Sequence, residues 1–135
     1  MRLAVSNCEL SFSLILQVGV TIMSILNFQC NDDQVVSVSG DFDVNTADDA
    51  RELFETLAVQ GADVVVDLTD VRFIDSSGIG AIVFLYKRLV AQKHNMALVG
   101  VKGQPKELLE ILRITQTIDV FITLNHYLAD KSTVH

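Results

Sequence analysis

The chain has 135 residues, half of them apolar, with one proline, seven glycines and a net charge of −7. That length favours one domain, large enough to bury a core without disulfides or metals, and the apolar fraction excludes a disordered chain. The acidic balance excludes a nucleic-acid binder, which needs a basic footprint.

Residues 1–22 read as an N-terminal extension of uncertain structure, and residues 23–135 as the domain. No charge occurs from Leu10 to Cys30. Ser11, Ser13, Gln17, Thr21, Ser24 and Asn27 interrupt that apolar run, so it makes a poor membrane span where about 20 apolar residues are needed. Arg2 alone is a weak opening for a signal peptide, and no clear small-residue cleavage site follows. An appended strand or helix is expected, or an over-extended start with Met23 as the natural one. The protein is then cytoplasmic. Cys8 and Cys30 form no CxxC and read as reduced bystander thiols. His94, His126 and His135 show no metal-ligand spacing, so no metal or cofactor is expected.

Residues 25–30 (ILNFQC) and 35–39 (VVSVS) read as two strands joined by a turn at Asn31-Asp32-Asp33. Gly40-Asp41-Phe42-Asp43 reads as a loop. Asn45 or Thr46 can cap a helix to about Val59, with Ala47, Ala50, Phe54, Leu57 and Ala58 at helical spacing and Gly61 as its stop. Residues 63–68 (DVVVDL) read as a strand buried on both faces, extended after a kink by residues 71–74. Asp75-Ser76-Ser77-Gly78 then opens a helix to about Gln92, with Ile79, Ile82, Val83, Tyr86, Leu89 and Val90 as its buried stripe. A strand at 96–101, a helix with Pro105 in its first turn ending near Arg113, a strand at 118–124 and a helical tail after Asn125 complete the chain. The order predicts a single α/β domain: a mixed β-sheet packed with α-helices, its antiparallel part supplied by the opening hairpin.

Charge is uneven along this order. Asp32 to Asp75 holds twelve acids against Arg51 and Arg72; from Ser76 onward there are four acids against seven bases. A solvated helix face accounts for most of those acids. The acidic half ends at the segment that can carry chemistry. A serine opening a helix sits among unpaired backbone N–H groups, at an end whose dipole tolerates an anion. Gly78 and Gly80, lacking side chains, would let another protein's backbone approach. Asp75, Ser76 and Ser77 are also good N-cap residues, so the same four residues could be a capping turn and nothing more.

Phe73-Ile74-Asp75-Ser76-Ser77-Gly78-Ile79-Gly80, following the strand Val64–Leu68, resembles the signature of the STAS domain, the fold of the anti-sigma factor antagonists. Gly40-Asp41-Phe42-Asp43 resembles the family's Gly-acid-hydrophobic-Asp loop. The likeness covers about Ser24 to Leu128. It implies a STAS-like sheet and a partner-switching regulator of transcription, a phosphoprotein that is not an enzyme. By position, Ser76 is the implied phosphorylation site, with Ser77 the lesser candidate. Asp75 would orient and cap, and Asp41 and Asp43 would line the same partner-binding surface as Ser76, Ser77, Gly78 and Gly80. The implied partners are an anti-sigma factor that is itself a serine protein kinase, and a PP2C-type phosphatase that resets the switch. ATP and magnesium would belong to the kinase. The chain departs from the family where a glycine often follows the third helix and Ile114-Thr115-Gln116-Thr117 stands here.

Two other readings compete. A non-switching STAS subunit of a transport or other regulatory complex would use the same fold, although such subunits often lack the serine pair. A small hydrolase using Ser76 or Asp75 as nucleophile would need a base in reach and an oxyanion hole. Neither GxSxG nor a phosphate-cradling loop is present, and His94 falls at the far end of the second helix.

Overall fold

The computed structural model describes residues 8–10, 25–30 and 32–133. A six-stranded sheet runs in sequence order: β1 (Cys8–Leu10), β2 (Ile25–Cys30), β3 (Asp33–Phe42), β4 (Val64–Ile74), β5 (Met96–Val99) and β6 (Asp119–Phe121). The first three strands pair antiparallel and the rest parallel. Each parallel step is bridged by a helix: α1 (Val44–Gln60), α2 (Ser76–Ala91) and α3 (Gly103–Ile111). A 3₁₀ turn (Ile114–Gln116) leads into β6, and α4 (Leu124–Thr133) follows it. The expected mixed sheet with helices packed on it is what forms.

Strand alternation sorts the core into two layers. Val36, Val38, Val64, Val66, Met96 and Leu98 face one side, where they meet Phe54 and Leu57 of α1, Ile82, Leu85 and Leu89 of α2 and Leu109 of α3. Val35, Val65, Ala97 and Val99 face the other side, against Tyr127 of α4. Both layers draw on Val64-Val65-Val66, all fully buried. A strand covered on both faces cannot alternate with polar residues, which is why this run is uninterrupted. Tyr127 also donates its hydroxyl to the buried Asp33 carboxylate at 2.9 Å, tying α4 to the start of β3.

Several boundaries differ from those the sequence suggests. Gly40-Asp41-Phe42 continues β3: Phe42 is fully buried and pairs with Ile74. Register shifts between Ser37 and Ser39 and between Gly40 and Asp41 bend this strand, and Gly40 takes a φ of +84° there. The cap of α1 is Asp43, not Asn45 or Thr46, because its carboxylate accepts the backbone N–H of both those residues. Gly61 ends α1 in the left-handed conformation, as expected. The buried stripe of α2 is Gly78, Ala81, Ile82, Leu85 and Leu89, whereas Val90 is exposed. Gly78 in the stripe lets the helix sit close to the β3 backbone. β5 stops at Val99 and β6 spans three residues rather than 118–124. Asn31 lies outside the described residues, as does all of the 1–22 segment save 8–10.

Cys30 is disulfide-bonded, and no free cysteine occurs among the described residues, so the reduced bystander reading is overturned. The chain has two cysteines, and the β1–β2 register sets Cys8 opposite Cys30. Directly opposed residues on antiparallel strands bring their Cβ atoms to about 4.5–5.5 Å, near the separation a disulfide needs. Twenty-odd residues of intervening sequence hide that pairing from a linear reading. No described helix is long and apolar enough to cross a membrane.

Candidate functional site

The site is built where two neighbouring parallel strands end together. Register aligns Asp41 with Phe73 and Phe42 with Ile74. The chain then leaves each strand through an aspartate. Asp43 Oδ1 accepts from Asn45 N at 3.1 Å and Thr46 N at 3.3 Å; Asp75 Oδ1 accepts from Ser77 N at 2.8 Å and Gly78 N at 3.2 Å. Both aspartates are extended N-caps, and each complements the positive end of its helix. The Asp75 N–H donates to the Phe42 carbonyl at 3.4 Å, which stitches one loop to the other.

Ser76 is the first residue of α2 and is exposed. Its hydroxyl makes no hydrogen bond among the described residues. Ser77 is half-buried, with its N–H engaged by Asp75. Asp41 is exposed and stands 4.0 Å from Arg72, which is also exposed, so this pair adds little to stability. Val44 and Phe73, 53% and 44% exposed, give the surface two apolar points beside its acids. The structure therefore brings Asp41, Asp43, Asp75, Ser76 and Ser77 to one end of the sheet.

Gly78 does not belong to that surface. It is buried, and a Cβ there would lie 2.5 Å from the Phe42 carbonyl oxygen and 2.7 Å from Ile74 Cγ1. Its missing side chain admits the chain's own β3 backbone rather than a partner's. Gly80 is half-buried, and its Cβ position lies 3.9 Å from an Arg51 guanidinium nitrogen.

Two site residues escape the sequence. Gln104, at the start of α3, accepts from Ile74 N at 2.9 Å and donates to Ile74 O at 3.0 Å. β5 pairs with β4 only as far as Asp67, so the last part of β4 has no strand on that side. The Gln104 carboxamide replaces the missing strand for the residue just before Asp75. Thirty residues separate the two, and no local pattern links them. Arg51, on α1, is exposed and has no ion pair among the described residues. Its helical neighbour Glu55 is taken by Arg88 at 3.2 Å.

The arrangement offers an exposed hydroxyl at a positive helix end. Neither described histidine stands beside it. His94 lies beyond the other end of α2, 3.5 Å from Asp63, and a helix of 16 residues spans about 24 Å. His126 bonds Thr123 beside β6. The Asp75 carboxylate is held by two backbone N–H groups. No cluster of metal-binding side chains occurs among the described residues.

The family model for the STAS domain matches residues 26–126. An anti-sigma-B factor antagonist of Bacillus subtilis is 33% identical over 92 residues, which cover 68% of this chain and 84% of that protein. An anti-sigma-factor antagonist (STAS) domain protein of Planctomyces limnophilus superposes with a TM-score of 0.74 at 21% identity, covering 80% of this chain and 97% of the other. The Bacillus cell fate determinant SpoIIAA in its phosphorylated form gives a TM-score of 0.62 at 14% identity, covering 91% and 97%. Those two likenesses are of fold.

Proposed function

The chain belongs to the STAS domain family of anti-sigma factor antagonists, and we propose that it is a partner-switching regulator whose state is set by phosphorylation of Ser76. In this reading the unmodified protein binds an anti-sigma factor that is also a serine kinase. Phosphorylation ends the binding, and a PP2C-type phosphatase restores it. The chain acts by binding and catalyses nothing itself. SpoIIAA, which this chain resembles in fold, has a phosphorylated form, and the exposed Ser76 offers this chain a hydroxyl for the same modification.

The observation that carries the proposal is the contrast between adjacent serines. Ser76 is exposed, whereas Ser77 is half-buried with its N–H on the Asp75 cap; neither hydroxyl makes a hydrogen bond among the described residues. The first is the more accessible to a kinase, and the second is the lesser candidate. The docking surface then has a simple logic. Val44 and Phe73 supply apolar area to bury, and Asp41, Asp43 and Asp75 already make the rim acidic. A phosphate adds about −1.5 to −2 charges at neutral pH. Burying that charge without a matching cation costs several kcal/mol, and about 1.4 kcal/mol is already tenfold in affinity.

Titration calorimetry of the cognate kinase against wild type, Ser76→Ala and the phosphorylated protein tests this, with phosphopeptide mapping beside it. Wild type and Ser76→Ala should bind alike, and the phosphorylated protein should bind at least tenfold more weakly. Phosphate confined to Ser77, or undiminished binding of the modified form, would sink the proposal.

A further inference from the structure

A phosphate on Ser76 meets a difficulty that the helix end does not solve. The backbone N–H groups of Ser77 and Gly78 already bond the Asp75 carboxylate, and the Ile79 N–H bonds the Asp75 carbonyl. The first turn of α2 is occupied by an anion belonging to the protein. A second anion at its edge would face Asp75 and Asp43 with no donors left over except its own N–H.

Arg72, at this end of the sheet, stands 4.0 Å from Asp41, whereas Arg51 makes no ion pair among the described residues. Arg51 approaches α2 from α1, with a guanidinium nitrogen 3.9 Å from where a Gly80 Cβ would be. Gly80 follows Ser76 by four residues, so the two share one helix face, with Cβ positions about 5–6 Å apart. Cβ bonds tilt toward the helix N-terminus, so that face leans from Gly80 back to Ser76. Phosphoryl oxygens reach out from Oγ toward the guanidinium, and an exposed arginine side chain crosses the remaining gap by rotamer change. On α1, the acids one helical turn from Arg51, and so able to face it, are Asp48 and Glu55, while Asp49 and Glu52 point to other sides of the helix. Asp48 makes no ion pair with it among the described residues, and Glu55 is held by Arg88. The absent side chain at Gly80 keeps the lane open.

We propose that Arg51 is the internal counter-ion of phosphorylated Ser76, passing over Gly80 to pair with the phosphate. This rests on the reading of Ser76 as the modified residue and adds the group that receives the modification. Guanidinium and phosphate match in a forked geometry, which lysine does not reproduce. The pairing fixes the phosphate against α1, and because a phosphate brings about −1.5 to −2 charges against a single guanidinium, the acidic rim still carries unmatched negative charge that a docking partner would have to bury.

The test uses the full chain with phosphoserine installed at position 76 during translation, so that no kinase is involved. Phosphorus NMR follows the second ionisation of the phosphate at low salt, in wild type, Arg51→Gln and Arg51→Lys. A nearby cation favours the dianion, so the wild-type midpoint should lie below the ordinary value of about 6. Arg51→Gln should raise it by about one unit, and Arg51→Lys should recover part of the loss. The Arg51 Nε–Hε resonance should also shift between the unmodified and modified wild type. Equal midpoints in wild type and Arg51→Gln, with an unmoved guanidinium signal, overturn the proposal. A cognate kinase that leaves Ser76 unmodified in a separate reaction would instead remove the functional reading, and the phosphorus result would stand by itself.

Discussion

A Cβ on Gly78 would stand 2.5 Å from the carbonyl oxygen of Phe42. That oxygen also accepts the Asp75 N–H, so the closest approach of α2 to the sheet and the stitch between the two site loops share one atom. Gly78→Ala must push helix and strand apart. We expect a loss of about 1–3 kcal/mol, the usual range for overpacking. Chemical denaturation measures it, and the amide signals of Phe42, Asp43, Asp75 and Ser76 should move most. A variant as stable as wild type would show that the contact is slack.

Gln104→Leu is expected to loosen the site without emptying the core. It leaves the part-buried N–H and carbonyl of Ile74 without their partners. An unsatisfied buried polar group costs about 1–3 kcal/mol. Amide exchange at Ile74 and Asp75 should accelerate more than exchange at Val65 in the centre of the sheet. Uniform acceleration throughout the chain would mean that Gln104 supports global stability and not the site.

The sheet was legible in the sequence because burial writes itself into pattern. Val64-Val65-Val66 announces a strand covered twice, and Gly61 and Pro105 mark a helix end and a helix start. The site was legible in part. Ser76 and Asp75 lie in one contiguous motif, and Asp43 lies in another, so a linear reading could pair them through family likeness. What stayed hidden depends on distance in sequence. Gln104 reaches Ile74 only because β5 is short, and Cys30 meets its partner through a strand far upstream. The inward aim of Gly78 depends on the helix's rotation about its own axis, which apolar spacing alone set wrongly at Val90.

Arg113→Gly should stabilise the protein. Arg113 ends the α3 segment with a φ of +62° and leads into the 3₁₀ turn at Ile114. A left-handed residue with a side chain costs about 1–2 kcal/mol, against about 0.5–1 for the extra freedom glycine loses on folding. The net gain should be about 0.5–1 kcal/mol, seen as a rise of a few degrees in the unfolding midpoint. No rise, or a fall, would show that Arg113 makes contacts worth more than its backbone strain.

Residues 23–135 should fold cooperatively without what precedes them. The larger core layer begins at Val36, with Ile25 packed at its margin, and its buried residues run from β3 to Ile118. Truncation removes Cys8 and so leaves Cys30 without its only possible partner in the chain, on a β2 that becomes the sheet edge. Cys30 lies in the smaller layer and packs as a small apolar group in either state. Circular dichroism and thermal melting of the shortened chain check this; loss of a cooperative transition would make the N-terminal segment part of the fold.

Asp75 carries a cap and a charge, and two substitutions separate them. Asp75→Ala removes the acceptor for Ser77 N and Gly78 N and should cost about 0.5–2 kcal/mol. Asp75→Asn keeps an acceptor oxygen, and asparagine caps about as well as aspartate. It should therefore stay within a few tenths of a kcal/mol of wild type, less a small dipole term. The two variants should diverge in the modified state. With phosphoserine at position 76, the wild-type carboxylate and the phosphate repel one another at the same helix end. Asp75→Asn removes that repulsion, so phosphorylation should destabilise the asparagine variant less than wild type. Paired melting curves of unmodified and modified protein, for wild type and Asp75→Asn, give the difference directly. If phosphorylation shifted both midpoints equally, the Asp75 charge would not reach the phosphate, and the phosphate would have to lie well away from the cap.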